Sequence, residues 1–276
     1  MKKLQTLLAV AITGVLLSIG TSALAQPAHP GYATVMRVKG TAFYSLDGGT
    51  HQFPLVAGKF LEAGSTIITG DDGVVDVILG KALDLPQSAW APNRIALAPD
   101  SPVRGLAGYH PAVQQNVVRV LTGSTLVIDK LTTTSTGADT VSDTELDLKQ
   151  GGIYASVKKL SPVAQYLVKT PTGIAGVRGT EFTLILNIDG TIKDLSVYST
   201  HSDQGLVLAV TGASGATQTY VIKAGEMWAP GNTAPVPISP VVHQILQAVF
   251  SGFRTSYFQT ISFDPDRTTV SESTPF

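Results

Sequence analysis

Apolar and polar residues alternate along most of this chain in short runs broken by glycine turns. A period of two over so few residues predicts β-strands. "ATVMRVKGTAFYSLDGG" is rich in β-formers and ends at Asp47-Gly48, and "STIITGDDGVVDVILG" alternates around Asp72-Gly73, which predicts a hairpin turn there. "EFTLILNIDGTIKDLSVYS" carries the strongest hairpin signal, with Phe182, Leu184, Leu186 and Ile188 on one face ahead of an Asp189-Gly190 turn. "GLVLAV" and "TQTYVIKAG" continue the rhythm. Turn signals spaced by roughly ten residues predict an all-β body, roll-like or sandwich-like, over residues 26–238.

Three segments break the pattern. Residues 91–115 are rich in proline and glycine and read as an insertion, and residues 132–144 are mostly Thr, Ser, Gly, Ala and Asp and read as a flexible exposed loop. In "SPVVHQILQAVFSGFR" the period changes: Val242, Ile245, Leu246, Val249, Phe250 and Phe253 recur at helical spacing. Ser239 can cap such a helix and Pro240 suits its first position, so an amphipathic helix is predicted over 239–258, packed by its apolar stripe on the β body. Residues 264–276 read as a solvated, disordered tail.

The N-terminus has another character. Lys2 and Lys3 precede an apolar run from Leu7 to Ile19, and small residues follow at Ala23 and Ala25. This is the order of a signal peptide over residues 1–25, cleaved before Gln26. Loss of that segment removes two lysines and no acid and takes the formal charge from -1 to -3. No later run is long and apolar enough to cross a bilayer, so the expected product is exported, periplasmic or extracellular, without stable membrane insertion. The chain is 43% hydrophobic and 14% charged, which supports a sizeable core and provides no basic field for nucleic acid. It has no cysteine, which excludes disulfides, thiolate metal sites and cysteine nucleophiles.

Candidate chemistry is sparse. The five histidines, His29, His51, His110, His201 and His243, show no metal-ligand spacing, and no nucleophile elbow or phosphate loop occurs. No cofactor is implied. "GIAGVRG" leads into a strand, whereas dinucleotide loops lead into helices. Asp71-Asp72 fits a turn better than half of a calcium site. Trp90 and Trp228 with neighbouring tyrosines suit a core or rim position, or a sugar platform. Carboxylates assembled in space for hydrolysis are the weakest alternative.

The densest pattern is "TPTGIAGVRGTEF", with Thr170, Pro171, Gly176, Val177, Arg178, Gly179, Thr180, Glu181 and Phe182. Thr170 is held extended by Pro171, and a bulge at Gly179 would bring Arg178 and Glu181 to one side. "VKGTAF" at 38–43 echoes "VRGTEF" at 177–182, which points to one local geometry used twice and to a structural role for the motif rather than a ligand site. This segment resembles the hallmark of the FecR domain, T-P-x-x-x-x-x-V-R-G-T-x-F before a β-hairpin. "GKFLEAGSTIITGDDGVVDVIL" and "LDLKQGGIYASVKKLS" are similar to other parts of that family, so the resemblance spans about Val35 to Ala229. It implies a β-rich extracytoplasmic domain with no catalytic role. The namesake regulators act on a sigma factor through a cytoplasmic segment and sense an envelope receptor. Here the apolar run stands where that segment would be, so the resemblance implies a stand-alone exported form with an envelope protein as partner. A binder of envelope polysaccharide or peptidoglycan is the alternative.

Overall fold

The computed structural model describes residues 28–80, 116–135, 140–200, 205–212 and 214–257. The predicted signal peptide, the 91–115 insertion and the 264–276 tail lie outside the described residues. The period-two runs become nineteen strands: β1 (His29–Pro30), β2 (Tyr32–Lys39), β3 (Ala42–Ser45), β4 (Phe53–Pro54), β5 (Phe60–Leu61), β6 (Thr66–Thr69) and β7 (Val74–Gly80) come before the insertion. After it follow β8 (Asn116–Val120), β9 (Thr125–Ser135), β10 (Thr140–Gln150), β11 (Gly152–Ser156), β12 (Gln165–Thr170) and β13 (Gly173–Gly176). The last six are β14 (Thr180–Leu186), β15 (Ile192–Thr200), β16 (Leu206–Thr211), β17 (Thr217–Ile222), β18 (Glu226–Trp228) and β19 (Val236–Pro237). One helix, α1 (Pro240–Tyr257), follows.

The strands form two sheets, so the fold is all-β with a single helix among the described residues. The ten-stranded sheet runs β17-β16-β13-β12-β10-β9-β6-β3-β4, with β1 added against β9, and the nine-stranded sheet runs β19-β18-β15-β14-β11-β8-β7-β2-β5. The chain passes repeatedly from one sheet to the other. Neighbours are antiparallel throughout, except that β10 and β12 are parallel because β11, between them in sequence, belongs to the opposite sheet. Inward-facing residues of both sheets, among them Val77, Ile128, Leu146, Tyr166, Phe182 and Leu208, make one continuous core.

Four local expectations change. Gly70–Gly73 is not a hairpin: β6 and β7 lie in different sheets, and the turn is a corner between them. The threonine-rich stretch is largely strand, since Thr133 pairs with Ser142 and Thr144 with Leu131; β-branched threonine suits a pleated surface, and composition alone mistook it for loop. The β14–β15 hairpin forms, but its loop starts at Asn187, whose N–H bonds the Thr191 carbonyl at 2.8 Å, so Ile188 sits in the loop, 96% exposed. In α1, Leu246, Phe250 and Phe253 are buried as predicted, whereas Ile245 is exposed because it lies roughly 90° around the helix from the centre of the stripe.

Ser239 caps α1, its hydroxyl accepting from the Val242 N–H at 3.4 Å. The helix lies on the outer face of the nine-stranded sheet. There Leu246, Phe250 and Phe253 meet Ile78, Val117, Tyr154 and Tyr198 in a second cluster, separate from the main core.

Candidate functional site

The motif is a corner between the two sheets. Pro171 and Thr172 make the tight turn from β12 to β13, where Thr170 Oγ1 donates to the Gly173 carbonyl at 3.0 Å. Gly176 ends β13, pairing with Leu167 and Val207. The chain then leaves the ten-stranded sheet and enters the nine-stranded one at Thr180. The buried Val177 donates its N–H to the Tyr166 carbonyl at 2.9 Å. Gly179 has φ 76°, a left-handed conformation that glycine reaches without the steric cost of a Cβ. Phe182 is fully buried in the core.

The echo at 38–43 is a second corner, taken in the opposite direction. β2 belongs to the nine-stranded sheet and β3 to the ten-stranded one, and Gly40 between them has φ 68°. Reversing the crossing exchanges the faces: Ala42 points into the core while Phe43 is half-exposed, and Phe182 points in while Glu181 points out. Each corner is tied to its neighbour. Thr41 N–H bonds Asp72 Oδ1 at 3.1 Å and the Thr41 carbonyl accepts from Gly70 at 2.9 Å, which fastens the first corner to the β6–β7 corner. That contact holds the Asp72 carboxyl below the usual carboxylate range. In the second, the Val157 N–H bonds the Thr180 carbonyl at 3.0 Å and Arg178 donates to the Pro162 carbonyl, which fastens it to the β11–β12 connection.

Arg178 and Glu181 are therefore not brought together as the bulge at Gly179 would have required. The register shift lies in β15, where Glu181 pairs with Ser199 and Phe182 with Val197, so that Tyr198 is the extra residue. This shift aims Ser199 Oγ at Glu181 Oε2, 2.5 Å away, and leaves Tyr198 to stack on Phe250, ring centroids 5.4 Å apart. Glu181 is 2% exposed, and its charge is met by Arg254 of α1 at 2.6 Å, with Ser156 Oγ at 3.5 Å from the other oxygen.

A second buried acid lies under the same helix. Asp76, fully buried in β7, is held by Arg119 on β8 at 2.7 and 3.0 Å and by Arg37 on β2 at 2.9 and 3.0 Å. The Arg119 guanidinium lies under the Phe253 ring, 4.6 Å from its centroid. Arg37, Asp76 and Arg119 are direct cross-strand neighbours, so sheet register assembles the cluster. The sequence did carry a signal for it: a lone Asp in "VVDVIL" and a lone Arg in "VVRV", opposite charges in otherwise apolar strands. Nothing in sequence pointed Arg254 at Glu181, 73 residues away.

Among the described residues no three His, Cys, Asp or Glu side chains gather as metal ligands. Trp228 is 5% exposed and packs against Tyr220 at 5.2 Å, so it is a core residue and not part of a sugar platform; Trp90 lies outside the described residues. The Asp71-Asp72 pair is a turn. Asp47 gathers the His51 backbone N–H, the Ser45 hydroxyl and the His51 ring, which together drive its carboxyl far below the usual range. Ser45 bonds Asp47 and backbone amides in this loop, an arrangement that orders the β3–β4 connection.

No curated protein matches the chain. Two crystal structures of a candidate anti-sigma factor from Parabacteroides distasonis are similar to it at 14% and 13% identity, covering 57% of this chain and 73% and 74% of theirs, at a TM-score of 0.31. The FecR protein family matches residues 111–200, from just before β8 to the end of β15, a narrower stretch than the resemblance read from sequence and one that contains the whole hallmark. Residues 111–200 of this chain are thus similar to the FecR protein family, and the hallmark inside them forms the sheet-crossing corner.

Proposed function

We propose that this chain is an exported, non-catalytic FecR-domain protein that acts through protein contacts, as an interaction or structural module of envelope signalling or assembly. The observation that carries the reading is the use made of the hallmark. Its buried acid, Glu181, is paired with Arg254 and accepts hydrogen bonds from two hydroxyls, its arginine bonds a backbone carbonyl of the neighbouring connection, and Phe182 fills the core. A motif spent in this way builds a frame, and recognition then belongs to surfaces on that frame. The Lys2-Lys3, Leu7–Ile19, Ala23–Ala25 order supports export to the periplasm. The test is mass spectrometry of the protein from fractionated cells combined with crosslinking in the intact envelope. The expected result is an N-terminus at Gln26 in the periplasmic fraction and a crosslink to a discrete envelope protein. Retention of Met1 in the cytoplasm overturns export. Crosslinking only to peptidoglycan or polysaccharide moves the protein to the glycan-binding class.

A further inference from the structure

Sheet ends expose unpaired N–H and C=O groups, and proteins usually blunt them. Among the described residues four of the five sheet ends are blunt: β1, β4, β5 and β19 are two residues each, and β1, β4 and β19 contain Pro30, Pro54 and Pro237. The fifth end is β17, Thr217–Ile222, six residues of "TQTYVI" with no proline and no charge. Its free groups can be assigned. Thr211 N–H points from β16 toward β13, where it bonds the Thr172 carbonyl at 2.9 Å. Alternation along the β16–β17 register then turns Gln218, Tyr220 and Ile222 toward β16 and leaves the backbone groups of Thr217, Thr219 and Val221 pointing out of the sheet. Beside this edge, on the outer face, Val221 and Val207 lie directly opposite each other, 49% and 40% exposed, with Ile174 at 44%.

We infer that β17 is the edge on which a second copy of this chain pairs, strand to strand and antiparallel, across a two-fold axis near Thr219. Three features select a second copy. The strand is uncharged, so self-pairing places no like charges opposite each other. Its outward positions, Thr217, Thr219 and Val221, are all β-branched, so reading the strand against itself sets β-branched side chains opposite one another and lays Thr217 of the second copy beside the exposed Val221. The one charge next to the strand, Lys223, comes opposite Gly215 of the second copy. Because the other ends are blunt, the pairing uses one edge per chain and closes as a dimer. This inference does not depend on the envelope partner proposed above.

Sedimentation velocity on the full chain after leader removal, at concentrations up to millimolar, tests it. Thr219→Pro deletes an N–H that bonds nothing inside the sheet, and Thr219→Lys sets two lysines directly opposite each other at the axis. The wild-type chain should sediment at twice the chain mass and both variants at once that mass, with thermal melting of a single copy unchanged in Thr219→Lys. A wild-type monomer at every concentration overturns the inference, as does a dimer that survives Thr219→Lys; that variant decides the matter if Thr219→Pro fails to fold.

Discussion

At the scale of single residues, the two corners turn on glycines that share one left-handed backbone conformation. Gly179 requires a left-handed backbone, which costs an L-residue roughly 1–2 kcal/mol. Gly40 requires the same conformation, and in addition a Cβ there would stand 2.1 Å from the Asp72 carbonyl oxygen of the neighbouring corner. Gly179→Ala should therefore lower stability by at least about 1–2 kcal/mol, and Gly40→Ala by more than that conformational cost, because at Gly40 backbone must move to admit the methyl. Denaturant unfolding of the two variants reads both losses. A Gly40→Ala loss of only about 1–2 kcal/mol would show that the tie between Thr41 and Asp72 does not hold the first corner in place.

At the scale of elements, α1 is held by two kinds of contact. Its apolar stripe closes the small cluster on the nine-stranded sheet, and Leu246 is 2% exposed in it. Leu246→Ala should cost about 2–5 kcal/mol, the range for truncating a buried leucine. Arg254 is half-exposed, so its pair with Glu181 is partly screened, and Arg254→Ala should cost less, about 1–2 kcal/mol, mainly from leaving Glu181 buried without its cation. Thermal or chemical unfolding distinguishes the two. A loss of under about 0.5 kcal/mol for Leu246→Ala, the size of an ordinary surface change, would mean that the helix docks elsewhere in solution.

At the scale of the whole molecule, the family match and the folding unit have different boundaries. The matched region, residues 111–200, spans β8 to β15. In the sheets those strands are flanked by β7 and β6 on one side and by β18 and β16 on the other, and the core runs without a break from Ala33 to Trp228. Cutting out residues 111–200 would open four sheet edges and remove part of the core on both sides. That fragment should show no cooperative thermal transition by circular dichroism, whereas residues 26–257 should unfold in one. A cooperatively folding fragment would mean that the flanking strands are additions to an independent domain.

Much of this architecture is local, and locality is why it could be read from the chain. Period-two alternation, the glycine turns, the Ser239-Pro240 cap and the 3.6-residue stripe are properties of near neighbours, and the strands and α1 follow from them. The V-basic-G-T-x-F echo was legible too, because both corners need the same left-handed glycine. Sheet membership was not legible. A turn such as Gly70–Gly73 has one composition whether it joins two paired strands or carries the chain from one layer to the other, and only the pairing of β6 with β9 and of β7 with β8 decides. The partners of the charged residues belong to the same class. Arg178 and Glu181 are three apart in sequence, yet the corner sends one to the Pro162 carbonyl and the other beneath Arg254. A buried charge takes whatever partner the assembled layers bring within reach, and that reach is a property of tertiary packing.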